Sequence, residues 1–242
     1  MADNLLRISE IGDWDAALNG LQLENDGSVR KIAAAVDAST RTIEAAIACG
    51  ADLLVVHHGL FWRGLQPITG GFARQLRLAF HHNLAIYSAH LPLDVHPTLG
   101  NNALLAATLG LIDTQPFLEM KGQLAGLRGT SDLPLAQLKA KLEQSLGGPV
   151  KLCAHGPADA RSVAVVTGGA GSEIYEVAKA GINTFITGEA PHWAAVAAQE
   201  LGINLLLGGH YATETFGVEA LAAHLGERFG LPQEFIDVPT GL

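Results

Sequence analysis

Cysteine is nearly absent. The 242 residues hold two, Cys49 and Cys153, too few for a disulfide framework, and Cys49 lies in a helix-like stretch as buried filler. Charge is sparse as well: 16% of residues are charged against 48% hydrophobic, and 15 basic residues against 24 acidic ones leave −9. With no Lys/Arg cluster among them, a nucleic-acid partner is not expected. Few charges also suit a homo-oligomer, whose subunit contacts replace solvated surface. No uninterrupted apolar run is long enough to span a bilayer. The opening Met1-Ala-Asp-Asn-Leu-Leu-Arg carries an early acid and no long apolar core, so a secretory signal is not expected. Heptads, low-complexity tracts and short-period repeats are missing. These absences leave a globular, cytoplasmic protein with no membrane segment, long enough for one large domain or two smaller lobes.

What is present is an α/β rhythm. Lys31 to Val36 reads as a strand, and Ser39 or Thr40 caps a helix running through Cys49 to a stop at Gly50. Leu53 to Val56 is a short apolar run of the buried-strand kind. Residues 72–82 form an amphipathic helix with Phe72, Leu76 and Phe80 on one face, ended at Asn83. Leu84 to Tyr87 is the next strand, and Asn101 or Asn102 caps a helix that Gly110 closes. Trp14 is a plausible core anchor, and Asn19-Gly20 a turn. A second series follows: strands at 124–127, 150–153, 163–167, 184–187 and 203–207, and helices from Pro134 to Leu146, after Gly168, from Pro191 to Leu201 and from about Val218 to Phe229. Strands alternating with helices at this spacing predict mostly parallel sheets. The weakly periodic segment 112–121 is the expected lobe boundary, giving a first lobe over 1–121, completed by 208–242, and a second over 122–207.

Three strand ends carry potential metal ligands: His57-His58, His90 with Asp94, and His210 with Glu214. In an open α/β sheet, ligands bind beyond the carboxyl ends of the strands. Adjacent side chains on a regular strand point to opposite faces. For both His57 and His58 to serve one site, the backbone is expected to leave strand geometry there, with Gly59 permitting it. His210 and Glu214 are four apart, so one helical turn sets them on the same side. Imidazole and carboxylate donors without thiolate suit zinc, iron, manganese, cobalt or nickel. Three histidines and two carboxylates exceed what one catalytic zinc takes, and a carboxylate can bridge two ions.

Five segments, in order, resemble one family. They are Asp13-Trp-Asp…Asn19-Gly-Leu-Gln22, Leu53–Trp62, Ser88-Ala-His-Leu-Pro-Leu-Asp94 with Leu99-Gly-Asn101, Thr187-Gly-Glu-Ala-Pro-His192 and Gly209-His-Tyr-Ala-Thr-Glu214. The pattern is similar to that of the Nif-three-like (YbgI-type) dinuclear metal-centre proteins, often labelled GTP cyclohydrolase I type 2. The resemblance implies two interlocked α/β lobes and two divalent ions per subunit, bound by His57, His58, Asp94, His210 and Glu214 with carboxylate bridging. It also implies a hexameric ring with its sites facing an internal cavity. The sequence departs from the pattern at Gly59, where proline is common, and at Leu91-Pro92, where a Thr is usual. Neither change removes a ligand.

Other motifs have ordinary explanations beside the functional ones. His81-His82, near a helix end, complements the helix dipole, and His96, His155 and His224 read as solvated surface. Gly168-Gly-Ala-Gly-Ser172 is either an anion cradle at a helix start or a tight strand-to-helix turn. It lacks the Lys of a Walker motif and the full dinucleotide fingerprint. Glu189, His192 and His90 are candidates for general acid/base catalysis. The expected activity is metal-assisted hydrolysis of a small molecule, a nucleotide among the candidates, with a cyclic amide or amidine or a phosphoester at the scissile bond. The alternatives are a metal storage or delivery protein without turnover and a ring-shaped interaction scaffold.

Overall fold

The computed structural model of the chain describes residues 1–11, 17–120 and 122–242. Asp13-Trp14-Asp15, with the expected core anchor Trp14, and Lys121 lie outside the described residues. Among the described residues the chain runs α1 (Ala2–Leu5), β1 (Gly20–Leu23), β2 (Ile32–Asp37), α2 (Thr40–Ala48), β3 (Leu53–His58), α3 (Gly70–His81), β4 (Ala85–Ser88) and α4 (Leu91–Asp94). It continues through α5 (Asn101–Leu109), β5 (Ile112–Met120), β6 (Gln123–Thr130), α6 (Leu135–Leu146), β7 (Lys151–Ala154), β8 (Ser162–Val166) and α7 (Ile174–Lys179). The last elements are β9 (Thr184–Thr187), α8 (His192–Leu201), β10 (Asn204–Leu207), α9 (His210–Thr213), α10 (Thr215–Phe229) and β11 (Gln233–Phe235). None of the helices among the described residues is long and apolar enough to cross a membrane.

The chain packs as two compact units, Met1–Leu99 with Gly217–Val238, and Gly100–Phe216 with Pro239–Leu242. The first boundary therefore falls at 99/100 and not at the expected 121/122. The reason is α5: its Leu105, Ala106 and Leu109 are buried with Leu135, Leu138 and Leu142 of α6 in a core of the second unit. The weakly periodic stretch that suggested a linker is β5, an exposed strand hydrogen-bonded to β6. The return to the first unit comes at 217 and not 208, because α9 stays with the strand ends of the second sheet.

The first unit holds a five-stranded sheet in the order β1-β4-β3-β2-β11. Its β4, β3, β2 and β11 are parallel, and β1 runs antiparallel along β4. Ile32 to Val36 are at most 1% exposed, as an apolar strand covered on both faces should be. Ser39 starts α2 with a capping box, its Oγ accepting from Thr42 N–H while Thr42 Oγ1 accepts from Ser39 N–H. Leu76 and Ala79 of α3 are buried against β2, β3 and β4, with Phe72 packed beside them. Phe80, expected on the same face, is 62% exposed. The buried stripe steps from 72 to 76 to 79, which rotates residue 80 off it. Asn83 (φ 53) turns the chain out of the helix as expected.

The second unit holds a six-stranded sheet in the order β5-β6-β8-β9-β10-β7. Only β8-β9 and β9-β10 are parallel among its described pairings, and β5-β6, β6-β8 and β10-β7 are antiparallel. The expectation of mostly parallel sheets thus holds for the first sheet and fails for the second. A hairpin opens the second sheet, and β7, reached from β6 through α6, joins its far edge running against β10. Asn101 and Asn102 are not caps. Gly100 precedes α5, and Asn102 is buried, donating to Ala125 O and accepting from Thr167 N–H.

Candidate metal centre

In the first unit the strand does not break before the two histidines. His57 and His58 are the last residues of β3, with Asp37 paired opposite His58. Pairing with β4 ends at Val56 and Ser88, so both histidines lie past the end of β4 while β2 still pairs with His58. Their ring centroids are 4.9 Å apart, and His90 lies 4.9 Å from His57 and 5.4 Å from His58. Donor nitrogens of all three lie within 4.8 Å of one another. Gly59 contributes room, not a left-handed turn. A Cβ there would sit 2.5 Å from the Gln22 amide and from Ser88 Cβ, and Gln22 Oε1 uses the space to accept from Leu60 N–H at 2.6 Å.

The second nitrogen of both strand histidines is tied off. His57 Nδ1 lies 2.8 Å from the carbonyl of Ala89, and His58 Nδ1 lies 2.8 Å from Asp37 Oδ1. A carbonyl or a carboxylate accepts only, so each ring donates from Nδ1 and keeps the Nε2 lone pair for a ligand. This is the arrangement that orients metal-binding histidines. Asp94 closes the one-turn α4 and is buried, its Oδ2 3.4 Å from His57 Nε2. His90 precedes that turn; its N–H donates to Asn19 Oδ1 and its carbonyl accepts from Leu93 and Asp94. Trp62 packs at 4.8 Å on His58, with the Arg63 guanidinium 5.2 Å from its ring.

In the second unit the donors follow three parallel strands. β8, β9 and β10 end in register at Val166, Thr187 and Leu207, and each soon reaches a glycine: Gly168, Gly188, Gly208. The carbonyl of Gly168 accepts from the N–H groups of Gly188 and Glu189, and Gly209 N–H donates to Gly188 O. Gly168 has φ +68, and a Cβ on it would lie 2.1 Å from Glu214 Oε1. The glycine-rich loop is therefore a tight turn whose missing side chain houses a carboxylate. Its Gly168, Ala170 and Gly171 N–H groups are spent on Thr213, Thr187 and Glu189, so the anion-cradle reading gives way.

His210 opens α9 with Nδ1 at 3.0 Å from Glu189 Oε1 and Nε2 at 3.2 Å from Glu214 Oε2. Burial pulls its imidazolium down, but the hydrogen bonds and charges of Glu214 and Glu189 outweigh that and raise it to about 9. Glu189 thus stands to His210 as Asp37 does to His58. His192 opens α8 at an exposed position and joins no donor cluster among the described residues. Sequence reasoning missed Asp37. Its signal was an acid at the end of the strand next to the histidine strand.

His57 and His58 in the first unit and His210 in the second thus have Nδ1 engaged, beside the buried carboxylates Asp94 and Glu214 and without thiolate. That donor chemistry fits divalent transition ions. Fold and donors together define a two-sheet α/β protein with histidine–carboxylate sets of the metal-binding kind. The chain belongs to the Duf34/NIF3 (NGG1p interacting factor 3) family, whose model matches residues 1–240. It is 42% identical to a Deinococcus radiodurans protein named GTP cyclohydrolase 1 type 2 homolog, over 94% of this chain and 88% of that one. An Escherichia coli K12 protein of the same name is 39% identical, over 93% of this chain and 91% of its own. Among solved structures, TTHA1606 from Thermus thermophilus superposes with a TM-score of 0.91 at 41% identity, covering 100% of this chain and 96% of that one.

Proposed function

We propose that the protein binds two divalent transition-metal ions through His57, His58, Asp94, His210 and Glu214 and uses them to hydrolyse a small molecule. The observation that carries the reading is the shared state of His57, His58 and His210, each with Nδ1 committed to an acceptor. Such rings are pre-oriented ligands, and their acceptors raise ligand basicity. Bound ions would supply Lewis-acid polarisation of the scissile centre and acidify a water. Asp37 and Glu189 hold the imidazoles of His58 and His210 in place, which assigns Glu189 to orientation and not to proton transfer. His90, buried beside His57 and His58, is the residue left for binding the substrate or moving its proton. His192 has no part in this scheme. The name carried by the relatives directs the first substrate panel to purine nucleotides, followed by phosphoesters and cyclic amides.

The test is elemental mass spectrometry of the purified protein and of Asp94→Ala, followed by turnover assays with the metal found. About two ions per chain, reduced in the variant, with hydrolysis that follows metal content, is the expected result. Metal that exchanges readily without turnover across the panel would favour storage or delivery. A wild-type protein that neither carries nor takes up metal overturns the reading.

A further inference from the structure

The glycines after β8, β9 and β10 leave room above three strand ends: Glu214 takes the space at Gly168, and Thr213 lies against Gly188 and Gly208. Thr213 is fully buried and lies between His210 and Glu214 in the chain. Its Oγ1 accepts from Gly168 N–H at 3.1 Å. The same hydroxyl lies 3.0 Å from the carbonyls of both Gly209 and His210, to which it donates. Its methyl faces Gly208, where a Cβ would come within 3.1 Å of Thr213 Cγ2, and a Cβ on Gly188 would come within 2.8 Å of Thr213 Oγ1. One threonine thus ties the loop that houses the Glu214 carboxylate to the turn that carries His210.

We infer that Thr213 is a positioning residue for the His210–Glu214 donor pair, acting through its hydroxyl. The inference rests on the metal-centre reading for its functional consequence, while the positioning itself is independent of metal. Gly168 has two alternatives if the hydroxyl is lost. It either keeps a buried N–H without an acceptor or swings away, and its α-carbon is the wall against which Glu214 sits. Valine has nearly the shape of threonine and removes only the hydrogen bonds; serine keeps them and removes only the methyl. The two variants separate bonding from packing.

The experiment uses the full-length, metal-free protein with Co²⁺ as the probe, comparing wild type, Thr213→Val, Thr213→Ser and a packing control, Val165→Ala. Val165 is buried in the same sheet, in the core it shares with α5 and α6. Co²⁺ affinity should fall about tenfold or more in T213V, as for other groups that orient ligands, with a changed visible absorption band. T213S and V165A should stay close to wild type even where their thermal midpoints fall. In the metal-free proteins, the downfield proton resonance of His210 Nδ1–H should persist in wild type and T213S and shift or broaden in T213V. Wild-type affinity and resonance in T213V would overturn the inference. If T213V does not fold, T213S decides: weakened Co²⁺ binding and a lost resonance would show that the methyl sets the site. A wild type that binds no Co²⁺ sinks the metal reading, and the His210 resonance still decides the positioning.

Discussion

At the residue scale the informative atoms are the nitrogens turned away from the donor clusters. An imidazole is a ligand of fixed direction only when its other nitrogen is held, and here three different acceptors do the holding: the Ala89 carbonyl, Asp37 and Glu189. The two carboxylates are separable from the ligands by substitution. Asp37→Asn and Glu189→Gln should each weaken metal binding roughly 10–100-fold while the protein stays folded, because orientation and basicity are lost and no donor is removed. Isothermal titration with Zn²⁺ or Co²⁺ checks this. Unchanged affinity with abolished turnover in Glu189→Gln would return Glu189 to the acid/base role expected from its sequence context. His57, His58, Asp94, His210 and Glu214 stood out in the sequence because histidines and acids clustered at strand ends. Asp37 did not, because its partner lies 21 positions away and only strand pairing sets the two side by side.

At the scale of elements, local signals did well where the chain makes its own decisions. Of the two caps the sequence offers, Ser39 and Thr40, the structure takes Ser39 and gives it a reciprocal box with Thr42. Replacing Ser39 by Ala should cost about 1 kcal/mol, or roughly 2–4 °C in a domain of this size, with metal binding unaltered. A thermal melt followed by circular dichroism measures it, and an unchanged midpoint would show that Thr42 alone holds the helix start. Gly50 and Gly110, the helix stops expected from the sequence, both take left-handed backbone. The errors share one cause. Asn101-Asn102 looked like a cap, and Phe80 like a core residue, because sequence spacing says which residues can be buried but not what covers them. β5 lacks apolar alternation because most of it is exposed, and a strand held at a sheet's edge by hydrogen bonds needs no such pattern.

At the scale of the whole molecule, the chain passes from the first unit to the second, back, and out again, so neither unit is one continuous segment. The returning piece contributes α10, with Val218, Leu221, Ala222 and Leu225 buried, and β11, the parallel partner of β2. It also carries Glu219, a surface residue whose carboxyl is partly desolvated. Burial, and after it the nearby Asp237, raises the Glu219 carboxyl above its ordinary value. The folded form therefore holds this proton more tightly than the unfolded form. The ionised group costs stability above its folded pKa, and that cost is relieved as pH falls through it. Glu219→Gln should raise the thermal midpoint at neutral pH and reduce the gain seen on acidification, read from melts taken from neutral pH down through the ordinary carboxylate range. A variant whose pH profile parallels the wild type would assign the pH dependence elsewhere.

The sequence by itself determined the α/β class, the positions of most strands and helices, and the residues with metal-binding chemistry. These depend on local quantities: apolar run length, glycine at helix ends, and donors placed where strands stop. Only the tertiary structure decided that the second sheet is largely antiparallel, that α5 belongs to the second unit, and that the glycine loop houses Glu214 instead of cradling an anion. It also decided which acceptor holds each imidazole. Those outcomes depend on which distant segments lie side by side, and neither periodicity nor spacing along a single chain encodes that choice.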